Sequence, residues 1–282
     1  MVSVIIPAHD EASGIRACLE ALLKDVRPDE FEVIVVCNGC SDTTADEARH
    51  FSPRVTVIET PIASKRLAMD LGDRAATRYP RCYLDGDVQL GATDLRRLRD
   101  AVATGPLVAV PRLQFDLQGR PWVVRAFFRL WMRTAFFSEG MASSGAYLLS
   151  EEGRRRFGTF PDVIADDHYV LSLFSKHERC QVLDSVSIAQ APWSAVDIVR
   201  IKTRAFLAQR QLQQQPGLEI RQHGGRSDWL LIALRDPRLW AATPVYLALN
   251  TIADVRARVR FHRGDFRWER ARSTRSEHTN VR

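Results

Sequence analysis

No stretch of this sequence reaches the ~20 apolar residues that a membrane-spanning helix requires. The nearest approach, Leu239 to Val255, is broken by Thr243, Pro244, Asn250, Thr251 and Asp254. A charged leader of the signal-peptide kind is also missing, because Met1-Val2-Ser3-Val4-Ile5-Ile6-Pro7 opens directly as a strand. Cysteine is scarce and odd in number: Cys18, Cys37, Cys40, Cys82 and Cys180. That count argues against a secreted disulfide scaffold. Cys37-x-x-Cys40 has no second pair at finger spacing, so a structural zinc site is not expected. A redox pair would open a helix in a thioredoxin-like setting, and this pair follows a strand into a loop, so structural thiols are the expectation. There is no internal repeat. Together these absences predict a cytoplasmic protein, with peripheral contact at the inner membrane face left open.

What is present is ordinary globular material. Of the 282 residues, 45% are hydrophobic and 26% are charged. That length holds one large domain or two small ones, with a sizeable core. The net charge of +6 is unevenly placed, with arginines crowding the region after Arg200 and the tail from Arg256 to Arg282. A tail of this kind suits nucleic acid, anionic lipid or a diphosphate, or is simply a solvated basic end.

The first hundred residues alternate strand and helix. Val2 to Ile6, Phe31 to Val36, Val55 to Ile58 and Cys82 to Leu84 read as strands. Ala12 to Lys24, a segment running to His50, and Ser64 to Arg78 read as helices. Ile15, Leu19, Leu22 and Leu23 share one face of the first, and Ser41 or Asp42 can cap the second. Near-continuous apolar strands between helices imply a parallel sheet covered on both faces. Ligands of such sheets sit at the carboxyl ends of the strands. Three polar loops fall there: His9-Asp10-Glu11, Asn38-Gly39-Cys40-Ser41-Asp42 and Asp85-Gly86-Asp87.

The last of these carries the most chemistry. Residues i and i+2 of an extended segment point the same way, so Asp85 and Asp87 converge. Gly86 lets backbone come close to a ligand. Hard oxygen ligands at a strand end suit Mn²⁺ or Mg²⁺ bound together with substrate phosphates. The same three residues also make an ordinary turn.

Farther along, Leu107 to Pro111 reads as a strand and Pro121 to Phe137 as an aromatic helix whose spacing favours core packing. Ser144-Gly145 precedes a strand at Ala146 to Leu149, and Asp166-Asp167-His168 opens a helix. Gln181 to Ile188 reads as an edge strand. Arg200 and Arg204 share a helix face and either clamp a diphosphate or face solvent. Trp229, Leu230, Leu231, Trp240 and Tyr246 mix with arginines near the end of the chain. Such a segment lies on a membrane surface or packs on the rest of the protein.

In order, these motifs resemble family 2 glycosyltransferases. Val4-Ile5-Ile6-Pro7-Ala8-His9-Asp10-Glu11 is similar to the opening of that family, and Val35 to Asp42 to its second nucleotide loop. Lys65 with Ala68 is similar to its third helix, Asp85-Gly86-Asp87 to its acidic triplet, and Ala165-Asp166-Asp167 to its catalytic-base motif. The resemblance covers residues 1 to about 190 and implies an α/β fold of the GT-A type. That means a Rossmann-like, mostly parallel sheet with helices on both faces, followed here by C-terminal helices. It implies a nucleotide-sugar half at 1–110, an acceptor and base half at 111–215, and a helical basic end at 216–282.

The resemblance also implies roles. Pro7, Ala8, His9 and Glu11 would line the nucleoside pocket, with Asn38, Asp42, Lys65, Asp85 and Gly86 close to the nucleotide sugar. Asp87, with Asp85, would hold Mn²⁺ or Mg²⁺, and Ser144 and Gly145 would approach sugar or acceptor. Asp167 would be the general base, with Asp166 beside it where the family usually has glutamate. His168 is read as a capping or supporting residue, with metal ligation as the alternative. The implied partners are a UDP-sugar, or a GDP-sugar since Asn38 replaces the usual acid, and a hydroxyl-bearing acceptor. The setting would be cell-surface polysaccharide, glycolipid or natural-product glycosylation, and nucleic acid is not an expected partner. No Gln-x-x-Arg-Trp follows the acidic pair, which favours addition of a single sugar. Two other classes remain: a sugar-nucleotide nucleotidyltransferase, disfavoured because no Gly-rich loop follows the first strand, and a non-catalytic basic binding module.

Overall fold

The computed structural model describes residues 1–134, 137, 145–214 and 228–266. Two units form. One takes Met1–Gln114, Ser143–Asp162 and Leu173–Ala189; the other takes Phe115–Ala142, Val163–Ser172 and Gln190–Arg282.

The first unit carries the sheet. Its N-terminal strands are β1 (Val2–Ala8), β2 (Phe31–Asn38), β3 (Val55–Thr60) and β4 (Arg81–Leu84). β1 pairs in parallel with both β2 and β4, and β2 with β3. The helices between them are α1 (Ala12–Leu23), α2 (Thr44–Arg49) and α3 (Lys65–Ala75). Alternation along β1 decides which helix covers which face. Val2, Val4, Ile6 and Ala8 share a core with Val33, Val35, Ile15, Cys18, Leu19 and Leu22. Each fully buried aliphatic side chain there contributes roughly 1.5–3 kcal/mol. Ile5 and Val36 face the other way, onto α3, where a Cβ on Gly72 would fall 2.5 Å from Ile5 Cγ2. Only glycine lets α3 lie that close.

The expected helix to Arg78 stops at Ala75. There Glu32 of β2 takes hold of the chain, accepting from Thr77 N (2.9 Å) and Thr77 Oγ1 (2.8 Å). A buried polar knot sits beside it. Asp73 accepts from Arg154 Nη2 at 2.8 Å and from the Tyr83 hydroxyl, and pairs with Arg81 at 2.7 Å.

Beyond β4 come β5 (Val88–Leu90), α4 (Ala92–Val102), β6 (Val108–Asp116), β7 (Ala146–Leu149), α6 (Glu151–Arg154) and β8 (Arg179–Gln190). The sheet order is β3-β2-β1-β4-β7-β6-β8-β5. Here the pairings β4–β7, β6–β7 and β5–β8 are antiparallel. Gln181 to Ile188 therefore lies inside the sheet rather than at its edge. The edge is β5, whose three residues are too few to register as a period in the sequence.

The second unit is helical. α5 (Trp122–Trp131) places Val124, Phe127 and Phe128 in a core with Ala191 and Ile198. Phe127 stacks on Tyr246 at 5.3 Å. The aromatics of α5 are thus chiefly core, with Trp122 the exposed exception. α7 (Asp166–Ser172), α8 (Ala195–Gln213), α9 (Asp228–Arg235) and α10 (Thr243–His262) complete it. α8 holds α10 through the Arg210–Asp254 ion pair at 2.6 Å. Among the described residues no helix is long and apolar enough to cross a membrane.

Candidate functional site

The carboxyl ends of β1, β2 and β4 meet at one rim of the first unit, and hydrogen bonds tie the three loops together. Asn38 is 3% exposed, and its amide donates to the Ala8 carbonyl at 2.7 Å. His9 Nδ1 lies 2.5 Å from the Asn38 carbonyl, which can only accept, so Nδ1 carries the proton. Asp10 adopts φ +48°, a conformation that aspartate tolerates better than most residues. Its carboxylate accepts from Ser41 N at 2.6 Å and Ser41 Oγ at 3.2 Å. Asp42 accepts from Ala12 N at 3.2 Å and Thr44 N at 3.0 Å, so one carboxylate serves the starts of both α1 and α2. Thr44 closes the link by accepting from Glu11 N at 2.7 Å.

The acidic triplet forms the next layer. Val88 N donates to Asp85 O at 3.1 Å, closing a turn with Gly86 and Asp87 at its centre. Gly86 packs against Pro7, Ala8 and Glu11: a Cβ there would meet Ala8 Cβ at 3.5 Å and Glu11 Cγ at 3.7 Å. Gly14 of α1 presses on the same turn, with its Cβ direction 3.1 Å from Asp87 Cα. Asp85 N donates to the Gly145 carbonyl at 2.7 Å. Gly145 has φ +61°, and a Cβ on it would lie 2.5 Å from Val88 Cγ2. Its smallness thus serves the acidic turn itself. Ser144 lies outside the described residues.

Lys65, the first residue of α3, reaches back to Asp85 Oδ1 at 2.8 Å, while Asp87 is exposed. Two carboxylates on a rim, one already partnered by an ammonium, fit a hard divalent ion that completes its shell with diphosphate oxygens and water. Asp87 would be the principal protein ligand and Asp85 the second. A chemically different group stands on the neighbouring loops. His9, Asp10 and Cys40 bring one ligand atom each within 4.8 Å of one another, and a mixed N, O and S set suits zinc better than Mn²⁺ or Mg²⁺.

The other thiols are quiet. Burial, reinforced by the charges of Asp87 and Asp85, pushes the Cys18 thiol up. Burial also pushes Cys37 and Cys82 to about 12. These three fit the expected structural role, whereas Cys40 stands with the possible ligands.

The remaining candidates belong to the second unit. Asp166 and Asp167 open α7 as expected, with Asp166 only 6% exposed. Asp167 Oδ1 accepts from His168 N at 2.7 Å. The loop before α7 is pinned to α8 where Ile164 N donates to Gln211 Oε1 at 3.0 Å. Arg200 and Arg204 lie one turn apart on α8, and Arg200 pairs with the buried Asp197 at 2.9 Å. Thr44 and Gly14 are site-building residues the sequence reading passed over, and Asp10 was named there only as part of its loop. Asp42-x-Thr44 carries the spacing of an Asx turn and signals part of this.

The profile of glycosyl transferase family 2 matches residues 3–156. That is more than half of the chain, and the chain belongs to this family. The matched span contains every rim residue described above and ends before Asp166. Glycosyltransferase AglE of Haloferax volcanii is 36% identical over 91 residues, 30% of this chain and 30% of that protein. The probable glycosyltransferase YdaM of Bacillus subtilis is 34% identical over 94 residues, 30% of this chain and 22% of that protein. The matches thus span less than a third of these relatives' length. Among solved structures, the mannosyltransferase PcManGT from Pyrobaculum calidifontis, in complex with GDP-Man and Mn²⁺, aligns with a TM-score of 0.58. It is 20% identical, and the alignment covers 92% of this chain and 73% of that one. At this identity the likeness establishes the fold, which is the expected α/β fold of the GT-A type.

Proposed function

We propose that the chain transfers a single sugar from a nucleotide-diphosphate sugar to an acceptor hydroxyl, with inversion at the anomeric carbon. The observation that carries this reading is the convergence of three strand ends on one rim. The Asp85–Asp87 turn there packs on Pro7, Ala8, Glu11 and Gly14. Pro7, Ala8, His9, Glu11, Asn38 and Asp42 form the nucleoside side of the rim, and Lys65, Asp85, Gly86 and Asp87 the diphosphate side. A bound Mn²⁺ or Mg²⁺ would supply Lewis-acid stabilisation of the departing diphosphate. Lys65 adds a cationic group 2.8 Å from Asp85, which holds it in place for the phosphate oxygens. Uridine and guanosine diphosphate sugars are the donor classes. The acceptor belongs to a surface polysaccharide, a glycolipid or a natural product.

The attacking hydroxyl must lose its proton as the new bond forms, and Asp167 is assigned as the general base. Asp166 beside it is more deeply buried. The test is a nucleotide-sugar panel with Mn²⁺, read both as donor binding and as transfer. Asp167→Asn is expected to keep donor binding and lose transfer by about 10²–10⁴-fold, the usual contribution of a general base. A fully active Asp167→Asn enzyme would remove Asp167 from that role.

A further inference from the structure

α10 (Thr243–His262) is apolar on two sides. One side packs inward: Tyr246 and Leu249 join the aromatic core of the second unit, and Ala253 and Ala257 are fully buried. The other side faces out. Ile252, Val255 and Val259 follow one another at helical spacing and are 54%, 55% and 44% exposed. Leu247, on an adjoining side of the helix, is 36% exposed. Leu231 and Leu234 of α9, together with Trp240, are exposed as well. An exposed apolar patch on a helix whose opposite side is already packed marks a contact surface.

The charge around the stripe identifies the contact. Residues 228–266 hold six arginines, no lysine and four acidic residues, a net +2, and the sequence that follows, 267–282, adds a net +3. Arg258, 54% exposed and paired with Asp254 at 2.8 Å, stands between Val255 and Val259. Arg235, Arg238 and Arg263 are exposed at the helix ends. The chain's own segments 215–227 and 267–282 are poor candidates to cover the stripe. The large apolar side chains of the second are Trp268 and Val281, and those of the first are Leu218 and Ile220. Exposed aliphatics and a tryptophan set among arginines match a bilayer with anionic headgroups: the apolar stripe enters the headgroup–acyl boundary while the guanidinium groups meet lipid phosphates.

We infer that α10 and its flanking arginines dock this protein on an anionic membrane surface. The docking does not depend on the catalytic reading, because its readout is binding alone. The full chain is tested by flotation with phosphatidylcholine vesicles, with and without added phosphatidylglycerol. Binding to the phosphatidylglycerol vesicles is expected, much weaker on phosphatidylcholine alone and weakened by added salt. Ile252→Ser/Val255→Ser changes only exposed positions. It is expected to keep the melting temperature and to lower vesicle affinity by about tenfold or more. No binding to anionic vesicles overturns the inference, as does equal binding to both vesicle types. So does binding that the folded variant retains in full. A concentration-dependent dimer that the variant abolishes would assign the stripe to a second copy of the chain and equally overturn it.

Discussion

Gly145→Ala is the substitution whose effect follows most directly from the geometry of the site. Gly145 sits at φ +61°, and placing alanine in that region costs roughly 1–2 kcal/mol. The new Cβ would also lie 2.5 Å from Val88 Cγ2, well inside the ~3.5–4.0 Å of carbon contact. Overpacking of this kind costs about 1–3 kcal/mol more. The sum, about 2–5 kcal/mol, lowers the melting temperature by at least ~4 °C in a chain of this size. The same strain acts on function, because Gly145 O accepts from Asp85 N at 2.7 Å and any shift moves the acidic turn. Mn²⁺-dependent nucleotide affinity is therefore expected to fall with stability. The decisive assay is a double-mutant cycle by urea denaturation, pairing Gly145→Ala with Val88→Ala, which deletes the methyl that clashes. The pair should be less destabilised than the sum of the singles by about 1–3 kcal/mol. Strict additivity would refute the steric reasoning.

Asp73 gives a pH-dependent prediction. Burial alone would raise its carboxyl, but the bonds from Arg154 and Tyr83 and the charge of Arg154 outweigh that and hold it below its ordinary value. A carboxylate depressed on folding stabilises fully above its unfolded pKa of about 4 and loses that contribution as pH falls through the folded value. Asp73→Asn should destabilise by about 3–5 kcal/mol near neutrality, because it leaves buried Arg81 and Arg154 without their anion. It should also flatten the fall in urea midpoint below about pH 4, and identical acid slopes for wild type and variant would contradict this. The thiols offer a second check. Cys37 and Cys82, both pushed to about 12, and the still higher Cys18 should resist iodoacetamide at about pH 8 in the native protein, as read by peptide mass spectrometry. Prompt labelling of Cys82 would show that the sheet is open there.

The rim was legible in the sequence because its signals are local. Largely apolar β1, β2 and β4 each end in a polar loop, and strand ends are where a parallel sheet binds. Val2, Val4, Ile6 and Ala8 separate from Ile5 by the period of a strand alone, so both covered faces could be read ahead of the structure. The antiparallel half was harder. β5 has three residues, and α4 buries only Ala92, Leu95 and Leu98 along an arginine-rich helix, so neither gave a clear period. Whether Gln181–Ile188 sat at an edge depended on β5 pairing outside it, a long-range fact. Gly145 was noticed as a place of close backbone approach, but its partner, Val88, is 57 residues away in sequence. The role of Asp10 within its loop escaped because it rests on a left-handed backbone and on Ser41 of another loop.

The central claim is that Asp87 anchors a divalent ion and, through it, the donor diphosphate. The most direct measurement is the melting temperature of wild type and Asp87→Ala with UDP or GDP, each with and without Mn²⁺. A ligand at 100 times its Kd stabilises the folded state by about 2.7 kcal/mol, which such a scan resolves. Asp87 is exposed, so the variant should melt near wild type without ligand and lose the Mn²⁺-dependent rise. A variant that keeps the full Mn²⁺-dependent rise would contradict the account.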